Sequence, residues 1–203
     1  GRQECRPPEG RRTYPALCPE RRSRTVGNGI AFDAVFGVAF QRLKESPARI
    51  PIIGTRSDLL PGLLLALLVG VVYAPALGYG LVWDDAFHFA SNPHLDGLRG
   101  LWRIWTSRAG LYYPLTLTTF WGLKQVVGLT PWIYHLVTVA FHAGTAVLAW
   151  LWLRALGVRG AWLAAALFAL HPLQVESVAW VTELKNTQSG FFFLLCLLLL
   201  ERR

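Results

Sequence analysis

Methionine is absent from the 203 residues and the chain begins at Gly1, so it is expected to be a piece of a longer translation product. Charge is sparse: 16% of residues are Asp, Glu, Lys or Arg, against roughly 25% in a soluble globular domain. Cysteine is scarce too, and Cys5, Cys18 and Cys196 are too few for a disulfide framework and lack metal-ligand spacing. A secretory signal peptide is a poor match, because the first apolar run is long and no small-residue cleavage site stands out after it. What fills the chain instead is apolar: 53% hydrophobic, 13% aromatic, nine Trp and a mean hydropathy of +0.37. A core of this size cannot hide so much apolar surface. That excludes an ordinary soluble enzyme and disorder of the whole chain, and much of the surface is expected to face lipid.

Residues 1–58 mix Pro, Gly and Arg and hold 11 of the 20 basic residues against 6 acids. They read as a basic, largely disordered cytoplasmic tail. A short amphipathic helix is expected where Phe32, Val35, Phe36, Ala39 and Phe40 recur at helical spacing. Such a segment beside a span meets anionic lipid, and no motif supports nucleic-acid binding.

Residues 59–203 read as a membrane module. The stretch 59–83 has 25 residues without charge, more than the ~20 that cross the hydrocarbon core as a helix. Residues 131–153 form a second span, with Trp132 and Tyr134 as interfacial aromatics and Arg154 as a snorkelling anchor. Residues 160–181 and 187–200 are expected as third and fourth spans, with Cys196 a small lipid-buried side chain. The Arg-bearing connections then share the cytoplasmic side, and 84–130 and 174–189 share the extracytoplasmic face. Within loop 84–130, Leu98, Leu101, Trp102 and Trp105 fall at i, i+3, i+4 and i+7 with Arg99 and Arg103 opposite and Asp96 at the cap. This predicts a helix in the membrane surface. Residues 112–127 are short and interrupted by Lys124, so they read as an interfacial or re-entrant helix. The expected fold is therefore all-α: a polytopic bundle of about four transmembrane helices plus extracytoplasmic interfacial helices.

Asp84 and Asp85 follow the first span directly, where charge is costly unless it faces water or a site. One carboxylate can act as a base while the other positions a cation; a solvated helix end is the plainer alternative. His88 continues that loop, and Tyr112 and Tyr113 offer hydroxyls or simply an aromatic belt. The second loop holds His171, Glu176, Glu183, Lys185 and Asn186, with Pro172 expected to kink the third span. On one continuous helix Glu176 and Glu183 are two turns apart and would point into one cavity, with Lys185 or Asn186 at its rim. His135 and His142 are two turns apart on the second span and read as packing and hydrogen-bonding side chains, with a transport role as the alternative.

Several blocks carry a resemblance: Trp83, Asp84, Asp85, Ala86, Phe87; then Tyr112, Tyr113, Pro114, Leu115, Thr116; then Gly128, Leu129, Thr130, Pro131, Trp132, Ile133, Tyr134, His135; and above all His171, Pro172, Leu173, Gln174, Val175, Glu176, Ser177, Val178, Ala179, Trp180 with Lys185 and Asn186. They resemble bacterial multispanning proteins with C-terminal tetratricopeptide repeats, themselves similar to the eukaryotic transmembrane and tetratricopeptide-repeat O-mannosyltransferases of the GT-C glycosyltransferase class. The resemblance covers roughly residues 60–203, about the first third of such a membrane module. Residues 1–55 resemble nothing comparable.

The resemblance implies a membrane glycosyltransferase that moves a sugar from a polyprenyl-phosphate donor to a hydroxyl acceptor, a protein or a glycan. The bacterial cytoplasmic (inner) membrane would house it, with the active site extracytoplasmic. Asp84 would be the catalytic base and Asp85 its supporting partner, while His88, Tyr112, Tyr113, His171, Glu176, Glu183, Lys185 and Asn186 would serve donor and acceptor. The eukaryotic relatives have Asp where this chain has Asn186, and Leu184 stands where an Arg is expected; the first departure leaves a divalent metal open. The lipid-linked sugar is the one ligand implied. The repeats that would bind a protein acceptor are absent from this chain, which alone is expected to be inactive. Two rival readings stay open: a non-catalytic membrane scaffold recruiting partners through such repeats, and a lipid-carrier permease.

Overall fold

The computed structural model describes residues 56–82, 85, 92–107 and 112–201. Residues 1–55 of the basic tail, with its expected amphipathic helix, lie outside the described residues, whereas Arg56–Asp58, expected to end that tail, begin the first helix. Every described element is helical: α1 (Arg56–Tyr73), a 3-10 turn (Ala74–Gly78), a second 3-10 turn (Pro93–Leu95), α2 (Gly97–Thr106), α3 (Pro114–Val127), α4 (Pro131–Ala155), α5 (Ala161–Ala169), α6 (Gln174–Ala179), a third 3-10 turn (Val181–Glu183) and α7 (Leu184–Glu201).

Among the described residues two helices are long and apolar enough to cross a membrane, Asp58–Gly78 and Pro131–Ala155. At 1.5 Å per residue the 25 residues of α4 reach about 38 Å, beyond the ~30 Å hydrocarbon core. The first span ends earlier than expected. Pro75, at the start of the 3-10 turn, lacks the N–H that would continue α1, and residues 79–82 leave the helix altogether. The outer face of α1 exposes Leu59, Leu60, Leu63, Leu64, Leu67 and Val71, a side suited to lipid rather than water.

The third span, expected over 160–181, is not one helix. It is broken twice, after Ala169, where Pro172 denies the helix a donor, and at Trp180, whose backbone is extended. The fourth begins earlier than expected, at Leu184, with a polar first turn. Four unbroken spanning helices are thus not what the described residues form: two long helices accompany the broken segment 161–179 and the 18-residue α7.

α4 is the hub and packs against α1, α5 and α7. Small residues let α4 and α7 approach: a Cβ on Gly144 would sit 2.7 Å from the Phe191 ring, and one on Gly190 would sit 3.4 Å from Thr145. Leu65, Val69, Tyr73, Ala146, Trp150, Ala165 and Leu198 form the main apolar core. At one end of this core Arg154 binds Asp58 through two hydrogen bonds, the Nη2–Oδ2 distance being 3.1 Å, and Trp162 Nε1 donates to the Pro61 carbonyl at 3.0 Å. At mid-height the last carbonyl of α5, freed by the break, accepts from Tyr73 Oη at 3.2 Å and from His142 Nε2 at 2.9 Å. His142 is therefore an interhelical hydrogen-bonding residue, and exposed Cys196 lies on the outside of α7.

At the opposite end a second cluster of Leu95, Ile104, Phe120, Tyr134, Val181 and Leu184 carries the loop helices. α2 appears where the apolar spacing predicts it. Asp96 occupies its N-cap position but makes no capping bond; its carboxylate takes Lys124 Nζ of α3 at 2.8 Å instead. α3, at 14 residues or about 21 Å, is too short to cross. Buried Thr116 and Gln188 hydrogen-bond at 2.8 Å and fasten it to α7.

Candidate functional site

Asp85 is the point where the two polar segments meet. Its side chain is fully buried. Oδ2 accepts from the Val82 N–H at 3.0 Å, while Oδ1 accepts from the Thr182 N–H at 2.8 Å and from the Thr182 hydroxyl. The Asp85 N–H in turn donates to the Val82 carbonyl at 3.0 Å, closing a tight turn. Desolvating a carboxylate costs several kcal/mol, and three donors, each contributing about 1.5–3 kcal/mol to a charged acceptor, offset it. These contacts join residues 97 positions apart. His135 stands behind them, buried, edge-on to the Tyr79 ring at 6.5 Å and within electrostatic reach of Asp85. Asp84, one peptide bond before Asp85, and His88 lie outside the described residues.

Thr182 reaches Asp85 because the chain leaves the helix at Trp180 and makes the 3-10 turn before α7. The same break overturns the expected alignment of Glu176 with Glu183, since no continuous helix connects them. Glu183 instead pairs with Lys185 and accepts from Asn186 Nδ2 at 2.6 Å, and Asn186 also donates to Ser177 Oγ at 3.3 Å. Lys185 Nζ stands 6.0 Å from the centroid of the Tyr113 ring, a cation–π contact that adds the first loop to the group. Tyr113, Glu183, Lys185 and Asn186 are thus together beside the Asp85–Thr182 contact.

Three expected residues are not in that group. Glu176 is exposed and lines a separate, mostly apolar groove of about 440 Å³ with Tyr79, Val82, Val175, Ala179 and Trp180. The groove shares Val82 with the Asp85 turn. His171 is exposed at the α5–α6 break, its Nδ1 accepting from the Leu173 N–H at 3.3 Å. Tyr112 is exposed and its hydroxyl donates to the Trp105 carbonyl at 3.4 Å. Among the described residues no three His, Cys, Asp or Glu side chains gather as metal ligands.

Two residues escaped the sequence reading. Thr182 carries no signal in its type or spacing. Gln188, three-quarters of a turn before the apolar run 191–200, is a buried polar residue whose signal was its place at the edge of that run.

Comparison with known proteins adds a relation. Protein O-mannosyl-transferase tmtc2 of Xenopus laevis is 31% identical over 141 residues, covering 63% of this chain and 17% of that protein. Protein O-mannosyl-transferase TMTC2 of Mus musculus is 38% identical over 89 residues, 43% of this chain and 11% of that protein. Protein O-mannosyl-transferase Tmtc1 of Drosophila melanogaster is 31% identical over 145 residues, 65% of this chain and 17% of that protein. The chain spans 17% or less of the length of these curated relatives. No family model and no solved structure matches it. The similarities support a relation to the protein O-mannosyl-transferases.

Proposed function

We propose that the complete protein containing this chain is a membrane glycosyltransferase of the GT-C type, moving a sugar from a polyprenyl-phosphate donor to a hydroxyl of a protein acceptor. The observation that carries the reading is the junction of Asp85 with Thr182: it joins the acidic turn after the first span to the segment that holds Glu183, Lys185 and Asn186. A transferase needs this kind of convergence, because its base and the group that receives leaving-group charge must act on one bond. The transferase names of the relatives favour this reading over a scaffold or a permease.

In the proposed reaction Asp84 takes the proton of the acceptor hydroxyl as that oxygen bonds to the sugar anomeric carbon. The bond from that carbon to the donor phosphate oxygen breaks with its electron pair, polyprenyl phosphate departs, and the configuration inverts. Lys185 is the cation best placed to meet the phosphate charge, held between Glu183 and the Tyr113 ring. A site at this end of the bundle suits a donor whose tail stays in lipid. Arg154 and Arg159 lie at the other end with the basic tail before them in sequence, which argues that the site faces the extracytoplasmic side, of a bacterial inner membrane in this reading.

The test is Asp84→Asn in the complete protein, with a polyprenyl-phosphate mannose donor and a protein acceptor rich in Ser and Thr. Loss of a general base predicts a fall in transfer of about a hundred-fold or more at unchanged expression. A wild-type rate would overturn the role of Asp84.

A further inference from the structure

We infer that Thr182 is a positioning residue for the proposed transfer, acting through Asp85, and that Asp85 serves as an anchor rather than as a reacting group. This rests on the transferase reading of the site.

The Asp85 carboxylate has little capacity left for chemistry. It is fully buried, and among the described residues its two oxygens accept from the Val82 N–H at 3.0 Å, the Thr182 N–H at 2.8 Å and the Thr182 hydroxyl. An ionised carboxylate offers about four lone-pair sites, and three are taken. A general base must reach the proton it removes, and a buried carboxylate that already accepts three hydrogen bonds is poorly placed to do so. What those bonds accomplish is geometric. Val82 belongs at once to the Asp85 turn and to the apolar groove. Thr182 sits between Trp180, which lines that groove, and Glu183, which holds Lys185 and Asn186. The single threonine therefore sets the groove, the acidic turn and the charged group in one register. Its main-chain N–H would survive any side-chain change, so the hydroxyl is the separable part. A misplacement of about 1 Å at such a junction costs on the order of a hundred-fold in rate.

The experiment is a double-mutant cycle in the complete protein, reading kcat and KM for transfer from polyprenyl-phosphate mannose to a protein acceptor, normalised to folded protein. Thr182→Val, which keeps the shape and removes the hydroxyl, is expected to lower kcat at least about ten-fold with KM for the donor within about two-fold. Thr182→Ser, which restores the hydroxyl, is expected to recover kcat to within about three-fold of wild type. On an Asp85→Asn background the Thr182→Val loss should shrink to less than about three-fold, because the two side chains act as one unit. Equal kcat in wild type and Thr182→Val would overturn the inference, as would losses that multiply in the double variant. Should Thr182→Val fail to fold, Thr182→Ser and Asp85→Asn decide alone. An Asp85→Asn enzyme as inactive as Asp84→Asn would make Asp85 a reacting group and sink the inference. A wild-type protein that transfers no sugar removes the transferase reading itself, a different failure from an active enzyme indifferent to Thr182.

Discussion

At one end of the bundle Arg154 forks onto Asp58, lies 5.1 Å above the Trp150 ring, and so ties the end of α4 to the start of α1 across 96 positions of sequence. At the other, Asp85 reaches 97 positions to Thr182, an almost equal separation, through the neutral N–H and hydroxyl of that threonine. The first contact pairs a cation with an anion where the helices come together. The second draws irregular backbone inward around a buried carboxylate, with loop helices α2 and α3 stacked nearby on Phe120 and Tyr134. Helix ends closed by an ion pair make a hinge-free base. Chain breaks held by hydrogen bonds to a buried acid make a platform on which side chains from distant segments can be arranged, which is why the candidate site sits there.

The comparison predicts that the two ends fail differently. Phe120→Ala should have the largest effect, about 3–5 kcal/mol, since it empties the centre of the cluster shared by Leu95, Ile104, Val181 and Leu184. Hydrogen exchange in detergent should then accelerate across α2 and α3 while the middle of α4 stays protected. Equal acceleration in α4 would mean that the two ends unfold as one unit and that the distinction drawn here is empty. Next, Arg154→Ala leaves the Asp58 carboxylate, 10% exposed, without its cation. Breaking a fully buried pair costs about 3–5 kcal/mol, and the one-third exposure of Arg154 reduces that to roughly 2–3 kcal/mol. Thermal unfolding should show the loss, and the double change Asp58→Leu with Arg154→Leu should return at least half of it. Transfer per folded molecule should be unaltered in both variants, in contrast to Thr182→Val.

The same contrast governs what was legible beforehand. Where apolar packing alone sets an element, spacing predicts it well: α4 was expected over 131–153 and runs Pro131–Ala155, and the periodicity of Leu98, Leu101, Trp102 and Trp105 foretells α2. Counting charges does not register helix breaks, so the uncharged run 59–83 concealed the end of α1 at Tyr73. The kink at Pro172 was foreseeable from the ring chemistry. The break at Trp180 was not, because no Pro or Gly marks it; Thr182 meets Asp85 only with the extended backbone there, a tertiary demand. Hence Glu176 and Glu183, aligned on an imagined helix, part company. Asp96 shows the reverse case: correct as a cap position, it spends its carboxylate on Lys124, a partner 28 residues away that local spacing does not weigh. Residue types around the site could thus be named in advance, whereas their contacts depended on backbone breaks.

The smallest effect is expected midway between the two ends. Tyr73 Oη and His142 Nε2 both donate to the Ala169 carbonyl, the acceptor left over where α5 stops. Tyr73→Phe removes one donor and no buried acceptor is orphaned, because His142 remains at 2.9 Å. The ring also keeps its edge contact with His142, 5.5 Å between centroids. The loss should therefore stay near the low end of a hydrogen bond's net worth, about 0.5–1 kcal/mol. His142→Phe should cost more than Tyr73→Phe, since it removes the shorter bond and enlarges a side chain buried among Tyr73 and Phe168. With both donors removed, the buried carbonyl loses both side-chain partners it has among the described residues, so the combined loss should exceed the sum of the two single ones. Strict additivity in thermal unfolding would show that the break in α5 is stabilised by something other than this shared acceptor, and that the middle of the bundle belongs with the ion-paired end rather than between the two.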